Sequence, residues 1–148
     1  MDKVAGYIRV SSPAQAAEGE SLNTQKTQIE QFVKMKNWTL TKIYEDAGLS
    51  GGKAETRPAF QEMIRDAERR AFEGIVFTKL SRFARSASDF LRYRDRLRKY
   101  DVYLFSIKEG LDPQSKVGQL LMGFLAMVAE WDKENIREQM EENKIARW

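Results

Sequence analysis

The chain has 148 residues, of which 42% are apolar and 32% are charged, with a net charge of +3. This length is typical of a single domain with one core. No stretch approaches the roughly 20 consecutive apolar residues that a membrane span needs, and the N-terminus lacks the pattern of a secretory signal. We therefore expect a soluble cytoplasmic domain with no membrane association.

The chain contains no cysteine and no histidine. Disulfides, thiolate zinc sites and cysteine nucleophiles are therefore excluded, and the commonest metal ligand and general base are missing. Covalent catalysis would have to use Ser, Thr, Tyr, Lys or a carboxylate. We expect no metal site and no cofactor.

The charges are unevenly distributed along the chain. Residues 65–99 hold 11 Lys or Arg against 5 acids, whereas residues 130–142 hold 6 acids against Lys133 and Arg137. Such a polarised surface can attract and orient a polyanion, although a basic stretch is also typical of a solvated helix face.

The first half of the chain alternates between strand and helix patterns. Residues 3–10 are short, apolar and partly β-branched, which predicts a buried strand. Ser21 is a candidate N-cap for a helix that extends to about Met35, and residues 38–45 alternate as a second strand. Residues 46–52 contain three glycines and are predicted to form a loop.

The second half continues the alternation. Pro58 suits the first turn of a second helix, whose inward face would be formed by Phe60, Met63, Ile64 and Ala67. Further elements are predicted as a strand at 74–78, a helix at 89–100 and a strand at 102–107. Alternating strands and helices of this length are typical of an α/β fold, with a mainly parallel β-sheet flanked by helices.

Residues that could perform chemistry follow the first and third predicted strands. Ligands of parallel sheets bind beyond the carboxyl ends of the strands, where Ser11 and residues 79–85 are expected. Arg9 lies two positions before Ser11 on the same strand face, so its guanidinium could reach a phosphate that the serine hydroxyl attacks. The alternative is that Ser11 caps a turn before Pro13.

Residues 79–85 form a basic cluster. If this segment is helical, Arg82 and Arg85 lie three residues apart on one face and could hold the same phosphate. Positioned cations stabilise the negative charge that develops in phosphoryl transfer. Alternatively, the cluster is a solvated face.

From residue 116 to the end the chain shows one helical pattern of about 30 residues, equivalent to about 45 Å. A wide apolar stripe is followed by sparse apolar residues among charges. The stripe comprises Val117, Leu120, Leu121, Phe124, Leu125, Val128 and Trp131. We predict a catalytic α/β domain at 1–115 and a long helix at 116–148. The first half of this helix is expected to pack on the domain, and the second half is expected to project and contact a partner helix or the DNA.

Several segments together resemble the serine recombinase family of resolvases, invertases and large integrases, over essentially the whole chain. They are YIRVSSPAQ (7–15), LNTQ (22–25), IYEDAGLSGG (43–52), TRPAF (56–60) and KLSRFAR (79–85). The resemblance implies a resolvase-like catalytic domain with Ser11 as the nucleophile and Arg9 as a phosphate contact. It also implies active-site roles for Gln25, Asp46, Arg57, Lys79, Arg82 and Arg85.

The resemblance further implies an activity on double-stranded DNA in a bacterial or phage setting. Ser11 would attack a backbone phosphate to give a 5′-phosphoserine link and a free 3′-hydroxyl, followed by strand exchange and religation without metal or cofactor. Homodimers and homotetramers would form through the long helix. The spacing from Ser11 to Gln25 resembles the large integrase branch, whose DNA-binding domains would follow residue 148.

Two positions depart from the family pattern. Ser81 stands where many members have an aspartate, and Asp132-Lys133 replaces a Glu-Arg pair. Two other functions stay open at this point. One is a catalytically silent DNA-binding or assembly module of the same fold, in which Arg82 and Arg85 only grip phosphates. The other is a metal-dependent nuclease, for which Asp46 is the one good carboxylate candidate.

Overall fold

A computed structural model of the chain describes residues 2–10, 21–47 and 57–130. The strands are β1 (Lys3–Val10), β2 (Thr39–Ala47), β3 (Gly74–Phe77) and β4 (Tyr103–Ser106). The helices are α1 (Leu22–Met35), α2 (Pro58–Glu68), α3 (Leu80–Phe83), α4 (Ala87–Arg98) and α5 (116–130).

The four strands form one parallel sheet in the order β2-β1-β3-β4. Strand β1 is central and pairs with β2 along its whole length, but it pairs with β3 only from Val4 to Gly6. The helices between successive strands cover the sheet, so the predicted α/β architecture is confirmed. All four strands end at the same side, which we call the carboxyl edge.

Each face of the sheet has its own apolar core. The larger core contains the inward residues of α2 and α4, which pack on alternate residues of the strands, including Tyr7 and Phe77. The smaller core lies under α1, where Ile29 and Val33 contact Val4 and Ile8. Gly6 permits this close approach, because an added Cβ would lie 3.1 Å from Ile29 Cγ2.

Several predicted boundaries agree with the structure and others do not. Ser21 caps α1 as predicted, and the four residues predicted for the inner face of α2 are all buried. The prediction of a loop from residue 46 is wrong, because pairing with β1 continues to Ala47 and places Asp46 within β2. Helix α4 begins at Ala87, two residues earlier than predicted, because the Ser86 side chain accepts from the Asp89 amide.

Helix α5 is described up to residue 130, and the rest of the predicted long helix lies outside the described residues. Its start is fixed by the Ser115 hydroxyl, which accepts from the Gly118 amide at 2.9 Å. Leu121, Met122 and Leu125 pack against the larger core. Across the described part of the chain, no helix has the length and apolar character required to span a membrane.

Part of the predicted apolar stripe of α5 is not covered by the domain. Three of its residues and the neighbouring Met127 are exposed by 61–75%, and we call these four the exposed stripe: Val117, Leu120, Phe124 and Met127. The expectation that this half of the helix packs on the domain is therefore confirmed for one flank of the stripe, which contains Leu121 and Leu125, but not for the other. The stripe is wider than the surface the domain offers, so only one flank of it is buried.

Three helices enter the following strand through the same backbone turn. In each turn a residue two or three positions past the end of the helix has a positive φ although it is not glycine: Asn37 (60°), Arg70 (59°) and Asp101 (58°). After α2 the Arg70 amide donates to the Ala67 carbonyl at 2.9 Å, and the Ala71 amide donates to the Asp66 carbonyl at 3.1 Å. This pattern is the Schellman motif, in which glycine is normally preferred at the left-handed position.

Arg70→Gly should therefore stabilise the protein by roughly 0.5–1 kcal/mol. A left-handed backbone costs a non-glycine residue about 1–2 kcal/mol, and glycine removes this cost. The greater conformational freedom of glycine in the unfolded chain cancels only part of that stabilisation. The free energy of unfolding from urea titrations measures the change. Arg69→Gly is the matched control and should destabilise, because Arg69 has φ of −89°; equal effects of the two variants would contradict the account.

Candidate functional site

The predicted site residues that the structure describes gather at the carboxyl edge. Arg9 lies near the end of β1, Asp46 near the end of β2, and Lys79 directly after β3. Arg57 precedes α2, and Arg82 lies in α3. Ser11, the predicted nucleophile, lies outside the described residues, but it follows Val10, the last residue of β1, directly in the chain.

The Asp46 carboxylate is the most heavily bonded group at this edge. It is 2% exposed. Its Oδ2 accepts from the Tyr7 hydroxyl at 2.8 Å and from the Phe60 amide at 3.0 Å, while Oδ1 accepts from the Ala59 amide at 3.0 Å. The last two donors belong to the first turn of α2, which has no side-chain cap from its own N-cap residue Arg57. Asp46 therefore caps α2 from a neighbouring strand and ties it to the sheet.

Tyr7 connects this carboxylate to Arg57. Arg57 Nη1 donates to the Tyr7 hydroxyl oxygen at 3.3 Å, and the guanidinium lies 4.0 Å from the centre of the Phe60 ring. Burial and the charge of Asp46 raise the pKa of Tyr7 against the opposing effect of Arg57. Tyr7 therefore stays a neutral donor to Asp46 well above neutral pH.

Gln25 fixes the end of β1. Its Oε1 accepts from the Arg9 amide at 3.1 Å, and its Nε2 donates to the Arg9 carbonyl at 3.0 Å. The side-chain amide thus forms both backbone hydrogen bonds that a neighbouring strand would form. Strand β3 pairs with β1 only as far as Gly6. The two hydrogen bonds from the Gln25 side chain therefore satisfy the Arg9 backbone and stabilise the part of β1 nearest Ser11.

Helix α3 is short, but its position is fixed by an aromatic anchor. Phe83 is fully buried, stacks on Phe77 at 4.8 Å and contacts Phe60 edge-on at 5.2 Å. Burying such a ring contributes about 1.5–3 kcal/mol. The backbone of α3 is consequently held between the sheet and α2.

Arg9 and Arg57 donate hydrogen bonds to backbone carbonyls near the end of α3. Arg9 Nη2 donates to the Ser81 carbonyl at 2.7 Å and Arg9 Nε to the Arg82 carbonyl at 3.3 Å. Arg57 Nη1 also reaches the Arg82 carbonyl, at 3.5 Å. Arg9 and Arg57 therefore converge on one backbone oxygen and are held close to Arg82.

We call Arg9, Arg57, Arg82 and Arg85 the arginine cluster. Burial first, and then the positive charge of the other three arginines, lowers the pKa of Arg9, with Tyr7 acting in the opposite direction. In the part of the chain that the structure describes, no member of the cluster forms a salt bridge with a carboxylate. No described acid is thus ion-paired with the cluster to offset the mutual repulsion of its members.

The basic segment 65–99 contains some cations that form salt bridges and others that form none among the described residues. On α4, Arg92, Arg94 and Arg96 each form a salt bridge, to Asp89, Asp95 and Glu68 respectively. The interpretation as a solvated, ion-paired helix face therefore holds for α4. Lys79, Arg82 and Arg85 have no such acid among the described residues, which indicates a different role.

Two nitrogens of the cluster are buried without a partner in the described structure, Arg57 Nε and Arg82 Nε. Leaving a buried charged donor unpaired is unfavourable. The arrangement has charge and free donors, and an anion with several acceptor oxygens would satisfy both. A DNA backbone phosphate is such an anion.

The predicted pairing of Arg82 and Arg85 on one helix face is wrong. Helix α3 ends at Phe83 and Ala84 is extended, with φ of −139° and ψ of 153°. Arg82 is buried at 5% exposure, whereas Arg85 is exposed beyond the helix. The two guanidiniums still belong to one electrostatic cluster, because the charge of each lowers the pKa of Arg9.

The metal-dependent alternative finds no support in the described residues. They contain no group of three or more acidic residues that could hold a metal ion. Asp46, the one carboxylate candidate, is occupied by three hydrogen-bond donors instead.

Comparison with known proteins agrees with this geometry. The family model for the resolvase N-terminal domain matches residues 4–147. The chain belongs to the resolvase N-terminal domain family. This result confirms the resemblance to serine recombinases found in the sequence.

Individual relatives of this resolvase domain support the assignment. A resolvase family site-specific recombinase from Streptococcus pneumoniae is 36% identical, with a TM-score of 0.83, and the match covers 99% of this chain and 98% of that one. The N-terminal catalytic domain of TP901-1 integrase is also 36% identical, with a TM-score of 0.80 over 90% of this chain and 98% of that one. The similarity to an integrase agrees with the predicted integrase branch.

Full-length relatives extend beyond the resolvase domain. The Transposon Tn552 DNA-invertase BinR of Staphylococcus aureus is 31% identical over 143 residues, which cover 95% of this chain and 67% of the invertase. A relative from Bacillus subtilis is 29% identical over 142 residues, and the chain spans only 27% of its length. The chain thus corresponds to part of these proteins.

Reasoning from the sequence missed three polar residues of the resolvase-domain site. Tyr7 was assigned to the buried strand and to the family segment 7–15 but given no role in the site, although its position two residues before Arg9 places it on the same strand face. Ser106 is the last residue of β4 and donates to Glu109, which in turn accepts from the Leu80 amide at the start of α3. Their location at the carboxyl edge was the available signal, but no charge run or repeat marks them.

Tyr7→Phe should lower the free energy of unfolding by about 1–3 kcal/mol, because Asp46 loses a buried donor and Arg57 loses an acceptor. Urea titration of wild type and variant measures the difference. Tyr103→Phe is the control, since the Tyr103 hydroxyl has no hydrogen-bond partner among the described residues, and it should change stability by less than about 0.5 kcal/mol. Equal changes in the two variants would show that the Tyr7 hydroxyl does not support the site.

Proposed function

We propose that this chain is the catalytic domain of a serine site-specific recombinase that cuts and rejoins double-stranded DNA through Ser11. The observation that supports this most strongly is the arginine cluster, which lacks a described counter-anion and lies where β1 leads into Ser11. A hydroxyl nucleophile next to several fixed cations suits attack on a phosphodiester.

In the proposed reaction the Ser11 oxygen forms a bond to phosphorus, and the bond from phosphorus to the 3′-oxygen breaks. The serine proton is lost to a base, and the departing 3′-oxygen takes up a proton to become a hydroxyl. The product is a 5′-phosphoserine link, which a 3′-hydroxyl attacks in the reverse sense after strand exchange. No metal or cofactor takes part, so chelators should leave cleavage unchanged.

From their contacts we assign the site residues to two kinds of role, phosphate binding and positioning. Arg82 and Arg85, with Arg9, are assigned to the non-bridging phosphate oxygens, whose charge increases during attack. Lys79 is a further cation at the same edge. Asp46 and Gln25 are assigned positioning roles, since their polar atoms are engaged with the backbone or with Tyr7.

Arg57 lies between these two groups. Its Nη1 is used within the protein and its side chain is buried, so we assign it to positioning and to the positive potential of the site rather than to direct phosphate contact. As a DNA-acting domain, the protein would work in the cytoplasm of a bacterium or of a phage-infected cell. The competing proposal is a silent module that grips DNA without cutting it.

Ser11→Ala should abolish formation of the covalent protein–DNA link, because no other residue is assigned to attack phosphorus. The test uses the full-length protein and its own DNA site, traps the adduct by denaturation, and identifies the linked residue by mass spectrometry. Ser12→Ala is the matched control and should still form the link. A link formed by the Ser11 variant would refute the serine mechanism, and no link in the wild type would favour the silent module.

We also propose that α5 assembles the domain into dimers and then tetramers. The members of the exposed stripe are spaced by three, four and three residues, which is the a and d pattern of a coiled coil. An exposed row of large apolar side chains is unfavourable in water and typical of an interface. Recombination also needs at least two active sites for two cuts, which gives the same surface a role in the reaction.

Met127→Asp should block assembly on DNA and recombination while the domain still folds, because a charge would be buried within the interface. Sedimentation measures assembly, and circular dichroism checks folding. Gln119→Asp introduces the same charge on α5 away from the exposed stripe and should assemble normally. Normal recombination by the Met127 variant would show that this surface is not the interface.

A further inference from the structure

The start of α3 is held by a residue from another part of the chain. This helix has only four residues, and its N-cap residue Lys79 gives no side-chain hydrogen bond to it. Instead the Leu80 amide donates to Oε1 of Glu109 at 3.0 Å. The same carboxylate oxygen accepts a hydrogen bond from the hydroxyl of Ser106, a buried residue at the end of β4.

Glu109 is itself held in a well-anchored turn. The amides of Ile107 and Lys108 donate to the carbonyls of Phe77 and Thr78 at 3.0 and 2.7 Å, so the turn extends the pairing between β3 and β4. Gly110 adopts a φ of 66°, which closes the turn. The Glu109 carboxylate is therefore fixed relative to the end of β3, from which α3 begins.

The segment that Glu109 fixes contains the proposed phosphate contacts. Lys79 precedes the capped amide directly, and Arg82 follows two residues later. The Arg82 amide also donates to the Lys79 carbonyl at 3.0 Å. A shift at Leu80 would thus be passed to both cations, and misplacement by about 1 Å can slow an enzyme roughly 100-fold.

We infer that Glu109, oriented by Ser106, is a positioning residue that sets the start of α3 and so the placement of Lys79 and Arg82. This inference rests on the proposed function. Glu109 acts through the backbone, because no salt bridge joins it to a cation within the described residues. Its role is that of a hydrogen-bond acceptor, which a neutral amide could also perform.

A positioning role for Glu109 predicts that its removal affects DNA binding and DNA cleavage differently. Glu109 is an acid beside a cationic site, so its removal strengthens the local positive potential and should not weaken DNA binding. Loss of the cap should nevertheless slow cleavage. A general loss of structure would weaken both together.

The experiment measures single-turnover cleavage of prebound DNA and the dissociation constant, using the full-length protein and its own DNA site. Glu109→Ala should cleave about tenfold or more slowly with an unchanged or lower dissociation constant. Glu109→Gln, which keeps an acceptor oxygen, should cleave within about threefold of wild type and with the same pH profile. Glu45→Gln removes an exposed acid that lies on β2, at the opposite edge of the sheet from β4, and has no described hydrogen bond, so this variant should match wild type.

Cleavage by Glu109→Ala at the wild-type rate would overturn the inference, and so would an equal loss in Glu109→Ala and Glu109→Gln. If Glu109→Ala unfolds at the assay temperature, Ser106→Ala is tested in its place. Slower cleavage by Ser106→Ala with unchanged DNA binding would support the inference, and cleavage at the wild-type rate would overturn it. These outcomes are read against Ser11→Ala in the same assay. Cleavage by that variant would refute the proposed function itself, whatever Glu109 does.

Discussion

The buried Asp46 carboxylate is the interaction on which the rest of the site depends. It joins β2 to β1 through the Tyr7 hydroxyl and to α2 through two amides of the first turn. Hydrogen bonds to a charged group contribute about 1.5–3 kcal/mol each, and an unpaired buried carboxylate would be strongly unfavourable. The three elements are therefore locked together at the point where Arg57 begins α2.

The same network lets the protein hold like charges together. Arg57 contacts the Tyr7 hydroxyl that also binds Asp46, while Arg9 and Arg57 bind the carbonyl end of α3. The backbone and a bridging hydroxyl thus orient the arginines without a direct ion pair to a described carboxylate. In the proposed reaction, donors held in this way would already be directed at the charge that develops during phosphoryl transfer, and phosphate binding would offset the repulsion between the arginines.

The sequence was sufficient to predict the fold, because hydrophobic periodicity, Ser21 and Pro58 act locally. The alternation of strands and helices identified all four strands, and the position of the cations after β3 located the carboxyl edge. Family resemblance then supplied Gln25, Asp46 and Arg57, for which the local pattern offered only a turn or a surface residue.

The details that the sequence did not predict depend on contacts between distant segments. Asp46 was expected in a loop, but pairing with β1 keeps it in β2, and its partners come from β1 and α2. Arg85 leaves the face of Arg82 because Phe83 anchors α3 and Ala84 is extended. The Glu109 cap joins residues 29 positions apart in the chain, a separation that no helical or strand period encodes.

The central claim is that the arginine cluster stabilises charge at phosphorus during the reaction. The most direct test compares Arg82→Ala with Arg92→Ala, which removes an arginine paired with Asp89 on α4. Single-turnover cleavage of DNA already bound to each full-length variant should be about 100-fold slower for Arg82→Ala and within about threefold of wild type for Arg92→Ala. Cleavage of bound DNA by Arg82→Ala at the wild-type rate, with only the affinity reduced, would contradict the account and leave the cluster as a grip on DNA.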